Sequence, residues 1–279
     1  MRVTISQIKE MKQRGDKIAM LTACDYSMAK IIDVVGIPLV LVGDSLGMTV
    51  LGYETTIPVT MQEMLHHTKA VVRGSKRAMV IGDMPFMTYH INTEDAIGNA
   101  ARFIQEGGAQ AVKLEGGLSV AEKVKSIVSC GIPVMGHIGL IPQSIHQLGG
   151  FKAQGKTLDA AKGLIKDAEA LEEAGAFAIV LETIPVQLAK VISQKVSIPT
   201  IGIGSGAGCD GQVQVISDIL GLFTDFVPKH TKQYAKLADI ISNAVAEYYN
   251  EVKASGFPTA KQSFSMDESM LAELTKESF

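Results

Sequence analysis

Four acidic residues of this 279-residue sequence share one kind of position, because each follows a short run rich in valine, isoleucine and leucine, either directly or after one glycine. They are Asp44 after residues 38–42, Asp83 after 79–81, Glu115 after 111–114 and Glu182 after 176–181. One such residue beside glycine, serine or proline is usually a turn or capping residue. Four at equivalent positions indicate carboxylates that converge on one rim, where like charges repel unless a cation neutralises them.

The residue types in this set favour a particular cation. Two aspartates and a glutamate, with no cysteine or histidine among them, are hard oxygen ligands that suit Mg²⁺ better than Zn²⁺. The fourth carboxylate is then free to act as a general base. The pattern predicts a magnesium site with an adjacent base.

Three other features leave alternatives open. His137 is the only histidine at the end of an apolar run, and it is either a hydrogen-bonded wall residue or a general base. The glycine-rich segment 202–211 either cradles a phosphate or lets the backbone pass close to its neighbours. Residues 139–157 exceed the usual length of a connection and are interpreted as a lid over the site. The adjacent His66 and His67 point in different directions on a helical pattern and receive no role.

The elements that must position these residues alternate along the chain. The apolar runs lie at 18–21, 38–42, 79–81, 111–114, 133–135, 176–181, 200–203 and 220–227. Helical patterns lie at 61–73, 94–106, 119–130, 157–174, 186–194, 212–219 and 231–253. Runs that are apolar throughout are typical of strands buried on both faces, as in a parallel sheet covered by helices.

This alternation predicts a single-domain α/β fold, a (β/α)₈ TIM barrel, with an N-terminal helix over residues 3–14 that covers one end. An open, doubly wound sheet is the alternative. The active site of such a barrel lies at the carboxyl ends of its strands, where the four acids stand. We assign the barrel to residues 1–254 and a polar tail to 255–279, with one apolar-periodic piece at 266–274.

Composition excludes several classes of protein. Lysine and arginine number 26 against 29 acidic residues, a net charge of −3, so the chain has no general attraction to nucleic acid. The sequence contains no apolar run long enough to cross a membrane and no signal peptide, so we expect a cytoplasmic protein without a membrane partner. Three widely spaced cysteines indicate neither a disulfide framework nor a cysteine zinc site.

Several motifs together resemble one known family. They are LVGDSLGMT at 41–49, GDMPF at 82–86, VKLEGG at 112–117, GHIGL at 136–140, GIG at 202–204 and CDGQ at 209–212. Their residues and order resemble the ketopantoate hydroxymethyltransferases of the phosphoenolpyruvate/pyruvate barrel superfamily, over about residues 4–257. The resemblance implies a (β/α)₈ barrel and a homo-oligomer, a decamer in this family. The stretch after about Ser263 extends beyond the family core.

The resemblance also implies roles for individual residues. Asp44, Asp83 and Glu115 match the family's Mg²⁺-binding carboxylates. Asp44, Ser45, Asp83 and Lys113 match its 2-oxoacid-binding positions. The sequence departs from the family pattern at none of them.

The implied reaction moves a one-carbon unit from the co-substrate 5,10-methylenetetrahydrofolate to C3 of 3-methyl-2-oxobutanoate. It passes through a Mg²⁺-stabilised enolate and gives 2-dehydropantoate in pantothenate biosynthesis. Glu182 matches the family's proton acceptor. The alternatives are a Mg²⁺-dependent 2-oxoacid lyase or aldolase of the same superfamily, and a barrel that only binds a 2-oxoacid or a folate. Spacing alone does not place the folate-binding residues.

Overall fold

The barrel is closed by eight parallel strands that pair in chain order, the last with the first. The computed structural model describes residues 1–276. Its strands are β1 (Ile18–Thr22), β2 (Leu39–Val42), β3 (Met79–Asp83), β4 (Ala111–Glu115), β5 (Val134–Gly139), β6 (Ala178–Glu182), β7 (Thr200–Ile203) and β8 (Gly211–Gln214). The predicted (β/α)₈ barrel is confirmed, and the open-sheet alternative is wrong.

Helices follow most of the strands and surround the barrel. The first six are α1 (Ile5–Arg14), α2 (Tyr26–Val35), α3 (Leu46–Thr49), α4 (Met61–Gly74), α5 (Thr93–Gln105) and α6 (Ala121–Ser129). The others are α7 (Ile145–Leu148), α8 (Leu158–Glu173), α9 (Val186–Lys195), α10 (Ile216–Ile219), α11 (Leu237–Lys253) and α12 (Glu268–Lys276). Short 3₁₀ helices lie at Leu118–Val120, Pro142–Ser144 and Ala260–Gln262.

Alternation along each strand divides the core into two layers. In β2, Leu39 and Leu41 point into the barrel, whereas Val40 and Val42 pack beneath the helices. Both faces are therefore buried, which explains why the strand sequences are apolar throughout. The inward-facing row of β4 starts with Ala111 at the bottom of the barrel. Because successive residues face opposite sides, Lys113 and Glu115 continue that row towards the carboxyl end.

The N-terminal helix α1 closes the opposite end of the barrel, as predicted. Its Ile8 is fully buried and belongs to the same apolar cluster as the barrel interior. Thr4 and Gln7 form a capping box at its start, which satisfies backbone N–H groups of the first turn. Lys12 extends from its last turn to the carbonyl oxygens of Ser193, Val196 and Ile198.

The eighth strand lies elsewhere than the sequence predicts. Residues 220–227 form no strand, and β8 comes earlier, within the region predicted as a helix over 212–219. Its sequence, Gly-Gln-Val-Gln, is largely polar, so the search for apolar runs misses it. Its position is determined by pairing with β1 and β7. A Cβ on Gly211 would lie 2.3 Å from the carbonyl oxygen of Ile18, so this pairing requires glycine.

Two helices also differ from the expectation. The sequence reading omits α2, although Asp25 caps its start by accepting from the backbone N–H of Met28. The last long helix, α11, begins at Leu237 and not at residue 231, and none of its residues is buried.

The predicted tail, 255–279, contains a 3₁₀ turn and α12, and none of its described residues is buried. Residues 277–279 of that tail lie outside the described residues. The boundary between barrel and tail stays a prediction. Across residues 1–276, no helix is both long and apolar enough to span a membrane.

Candidate active site

A cavity of about 520 Å³ opens at the carboxyl ends of the strands. It brings together every residue that the sequence singles out for metal, substrate or proton transfer: Asp44, Ser45, Asp83, Lys113, Glu115 and Glu182. The convergence expected from their equivalent positions is confirmed, and the role of each residue stays a prediction. Residues at the carboxyl ends of different strands meet here because the parallel strands of a closed barrel all end on one face.

Asp83 and Lys113 form a buried ion pair at the base of this cavity. The Lys113 Nζ lies 2.6 Å from Asp83 Oδ1 and 3.7 Å from Glu115 Oε1. The two residues are also register partners in adjacent strands. The backbone N–H of Asp44 donates to Asp83 Oδ2 at 3.1 Å, so three successive strands contribute to one charged cluster.

Burial and mutual repulsion perturb the acids of this cluster. Burial raises the pKa of Asp44 well above its ordinary value, and the charges of Asp83 and Glu115 raise it further. Burial likewise raises the pKa of Asp83, although Lys113 opposes the change. Burial would raise the pKa of Glu115, but His137 and Lys113 outweigh this effect and lower the pKa. Burial would lower the pKa of Lys113, but the surrounding carboxylates raise it instead.

This charge distribution fits a divalent cation. Asp44, Asp83 and Glu115 are all buried, and Lys113 is the buried ammonium that faces them. When ionised, the three carboxylates exceed the one ammonium by two negative charges. His137 and Glu182 do not alter this excess, because their charges cancel when both are ionised. The residues present therefore fit Mg²⁺, whose preferred protein ligands are carboxylate oxygens.

The carboxylates would not enclose such an ion on their own. Within residues 1–276, no three aspartate, glutamate, histidine or cysteine side chains already form a metal-ligand set. Mg²⁺ usually takes one or two carboxylates and completes its shell with water and substrate oxygens. The arrangement suits an ion that is shared with an oxygen-rich substrate.

His137 lies between two of the carboxylates. Its Nδ1 is 3.4 Å from Glu115 Oε1, and its Nε2 is 3.2 Å from Glu182 Oε2. Both nitrogens are buried without a well-directed hydrogen bond. Burial and Lys113 act to lower the pKa of His137, but the two flanking carboxylates outweigh them and raise it to about 9. A wall residue linking the metal cluster to Glu182 is the role that this geometry favours.

Glu182 differs from the other three acids. It ends β6, and its side chain keeps 17% of its surface exposed, towards the cavity that it lines. Among the described residues it has no lysine or arginine partner within ion-pair distance. A carboxylate that is accessible from the cavity can accept a proton from a bound substrate.

Gln143 and Tyr89 complete the cluster and were missed by the sequence reading. The Gln143 side-chain amide donates to Asp44 Oδ2 at 2.9 Å and to the carbonyl of Met84 at 3.0 Å. Its backbone N–H donates to Glu115 Oε2, and its side-chain oxygen accepts from the Tyr89 hydroxyl at 2.7 Å. A glutamine beside proline carries no local signal for such a role. The only available hint was the unusual length of segment 139–157.

The long segment 139–157 has a buried first part and an exposed second part. Its first part is anchored, because Gln143 and Ile145 are buried. Phe151, further along, lines the cavity and is exposed. The covering interpretation therefore applies at most to the second part, and its motion stays a prediction.

The glycines of segment 202–211 allow close packing. A Cβ on Gly206 would lie 2.6 Å from the Val186 side chain, and one on Gly202 would lie 2.9 Å from the Cys209 sulfur. Close passage of the backbone is thus the alternative that the structure supports. Neither His66 nor His67 lines the cavity, and His67 Nδ1 lies 2.7 Å from the carbonyl oxygen of Cys24.

The outer part of the cavity is built by a segment that sequence reasoning left without a role. Residues that follow β8 line it: Asp218, Phe223, Phe226, Pro228, Lys229 and His230. Three of these six side chains, Phe223, Phe226 and Pro228, are apolar, whereas the base is formed by charged groups. The site therefore has a charged floor and a mixed outer wall that includes two phenylalanines.

Comparison with known proteins finds similar sequences and folds along nearly the whole chain. A model of the ketopantoate hydroxymethyltransferase family matches residues 2–260. A protein of Dehalococcoides mccartyi named 3-methyl-2-oxobutanoate hydroxymethyltransferase is 69% identical over 276 residues, covering 99% of this chain and 98% of that protein. One of the same name from Clostridium botulinum is 58% identical, covering 98% and 100%. A solved phosphonopyruvate hydrolase complex with oxalate and Mg²⁺ has a TM-score of 0.61 at 12% identity, covering 99% and 96%, a likeness of fold.

Proposed function

The chain belongs to the ketopantoate hydroxymethyltransferase family, and we propose that it transfers a one-carbon unit from 5,10-methylenetetrahydrofolate to 3-methyl-2-oxobutanoate. The product is 2-dehydropantoate, and the role lies in pantothenate biosynthesis. The observation that carries the proposal is the buried cluster of three carboxylates beside the accessible Glu182. Such a cluster can hold a metal and a 2-oxoacid while one base stays free.

Asp44, Asp83 and Glu115 would hold the Mg²⁺ ion. When bound, the ion supplies positive charge next to the carboxylate and keto oxygens of the substrate, which makes the neighbouring C3–H more acidic. The net negative charge of the cluster supports this assignment, because without a bound cation the cluster would repel an anionic substrate.

Lys113 and Ser45 would orient the 2-oxoacid. The Lys113 ammonium is held in place by Asp83 and offers a compact positive charge to substrate oxygens. Ser45 follows Asp44 at the end of β2 and lines the same cavity. Together they would hold the substrate with its C3 towards Glu182, which lines the same cavity.

Glu182 would remove the C3 proton. Its carboxylate oxygen takes the proton, and the electron pair of the C–H bond moves into the enolate. His137, 3.2 Å from that carboxylate, would fix its orientation. Apolar residues such as Val180 and Ile203 also line the cavity and would limit access of water to the enolate.

Carbon–carbon bond formation then joins C3 to the methylene carbon of the folate. Both carbon–nitrogen bonds that hold this carbon in the folate break, and one water is consumed: it supplies the hydroxyl group, while its remaining proton and the proton taken from C3 end on the two folate nitrogens. The cavity volume of about 520 Å³ supports a site that both substrates would share. The lyase alternative also builds an enolate, but identities of 58% and 69% to named hydroxymethyltransferases over nearly the full length favour transfer.

A homo-oligomer remains part of the proposal. The apolar side chains of α11, among them Ile240, Val245 and Tyr248, are exposed in the single chain. Helical faces of this kind are usually covered by another protein surface. A second copy of the chain would provide it.

The test is product formation in the purified protein. We expect 2-dehydropantoate only when 3-methyl-2-oxobutanoate, 5,10-methylenetetrahydrofolate and Mg²⁺ are all present, with activity lost on chelation and restored by Mg²⁺. Cleavage of a 2-oxoacid without folate would favour the lyase. Binding of either substrate without turnover would favour the non-catalytic alternative.

A further inference from the structure

The cavity is larger than the 2-oxoacid requires. Its volume of about 520 Å³ falls in the range of sites for drug-sized ligands, about 300–1,000 Å³. The charged residues at its base account for the small acid. The outer part, lined by the segment after β8, is left for a larger molecule.

One carboxylate in this outer part has no partner. Asp218, in α10, is only 6% exposed and lines the cavity. Throughout residues 1–276, no N–H or O–H group donates to its side chain and no cation lies within ion-pair distance. Burial alone raises its pKa to about 6. A largely buried carboxylate that lacks protein donors and faces a cavity is suited to donors from a ligand.

The surroundings of Asp218 define the shape of that ligand. Phe223 lies close by, because its backbone N–H donates to the carbonyl of Ser217, the residue before Asp218. Phe223, Phe226 and Phe151 line the same cavity as Asp218, and Phe226 is 63% exposed. Aromatic rings with open faces favour a flat, conjugated partner. A carboxylate beside them favours a partner that also carries N–H donors along one edge.

We propose that Asp218 binds the 2-amino-4-oxopyrimidine edge of the reduced folate, an inference that rests on the proposed function. That edge presents a ring N–H and an exocyclic amino group side by side. This is the parallel pair of donors that a carboxylate accepts from a guanidinium. Since Asp218 and Glu182 line one cavity, a folate held by Asp218 shares the space in which the enolate forms.

The test compares two variants and two ligands. Asp218→Asn keeps the size of the side chain but replaces one acceptor by a donor. Asp225→Asn is the matched control, because Asp225 is exposed in the same region and does not line the cavity. Binding is measured by calorimetry with tetrahydrofolate and with its 2-desamino-2-methyl analogue, which lacks the amino donor.

We expect Asp218→Asn to weaken tetrahydrofolate binding about tenfold to a hundredfold, the usual effect of losing hydrogen bonds to a charged group. The wild type should lose a similar factor with the analogue, and Asp218→Asn should lose little more. This non-additivity would show that side chain and amino group interact. Asp225→Asn should behave as the wild type with both ligands.

Two results would overturn the assignment. One is wild-type affinity of Asp218→Asn for tetrahydrofolate. The other is a wild type that binds both ligands equally, and this measurement does not depend on the folding of any variant. A separate measurement, exchange of the C3 hydrogen of 3-methyl-2-oxobutanoate without folate, distinguishes failure of the Asp218 assignment from failure of the proposed function. Exchange without tetrahydrofolate binding contradicts the role of Asp218 alone, whereas tetrahydrofolate binding without exchange or product contradicts the transferase.

Discussion

The Gln143 side-chain amide donates a 2.9 Å hydrogen bond to Asp44 Oδ2, although the two residues lie 99 positions apart in the chain. The same glutamine donates through its backbone N–H to Glu115. One residue of the β5–α7 connection therefore fixes two of the three carboxylates assigned to Mg²⁺. Partners of this kind orient ligands that would otherwise rotate freely.

Gln143→Ala should therefore weaken Mg²⁺ binding. Loss of an outer-shell partner commonly costs about 10- to 100-fold in metal affinity or activity. Gln154→Ala is the matched control, since that side chain bonds only to the carbonyl of Lys152 in the same segment. Calorimetric titration with Mg²⁺ measures both. Equal affinities in the two variants would mean that Gln143 does not position the ligands.

Asp83→Asn tests the metal assignment more directly. The amide keeps an acceptor for Lys113 but removes one negative charge from the cluster. We expect at least a tenfold loss of Mg²⁺ affinity and a larger loss of turnover, with an unchanged circular dichroism spectrum. A folded variant with wild-type Mg²⁺ affinity would place the metal elsewhere.

Removal of the buried Lys113 ammonium should make the stability of the folded protein depend more strongly on Mg²⁺. Lys113→Met leaves three buried carboxylates without their cation, so the melting temperature should fall in metal-free buffer. Added Mg²⁺ should raise the melting temperature more in this variant than in the wild type, because the ion stabilises the folded state that binds it. Equal Mg²⁺-induced shifts in both proteins would contradict the charge argument.

The four acids of the site could be predicted because local sequence determines their position. Asp83, Glu115 and Glu182 end their strands and Asp44 follows β2 after one glycine, and the strands are recognisable from their apolar runs. Gln143 could not be found in this way. Its role depends on contacts with Asp44 and Glu115, which only the closed barrel brings near.

The same reason explains the error at the eighth strand. Closure of the barrel selects Gly211–Gln214 because a small backbone must fit against Ile18, whereas the more apolar residues 220–227 lie outside the sheet. The misplaced strand also hid Asp218, because the segment around it was not recognised as the one that follows the eighth strand and so lines the cavity.

Asp218 should make stability depend on pH in a defined window. Its pKa is raised from 3.8 to about 6 in the folded protein, so the folded state keeps this proton over a range where the unfolded chain has lost it. The contribution of this group to stability is therefore greatest below about pH 4, falls as the pH rises to about 6, and is constant above.

Asparagine does not titrate, so the stability of Asp218→Asn relative to the wild type should rise between about pH 4 and pH 6 and then level off. Urea unfolding at constant ionic strength measures this difference, with Asp225→Asn as the control. A difference that does not change with pH would mean that the Asp218 carboxylate is as well solvated as an exposed one.

The measurement that tests the central claim is hydrogen exchange at C3 of 3-methyl-2-oxobutanoate in D₂O, without folate, followed by NMR. With Mg²⁺, the wild type should exchange this hydrogen, because enolisation precedes one-carbon transfer. Glu182→Gln should bind Mg²⁺ and the 2-oxoacid nearly as well but exchange about 10²- to 10⁴-fold more slowly, the usual contribution of a general base. Exchange by Glu182→Gln at the wild-type rate would contradict the account and turn attention to His137 as the base.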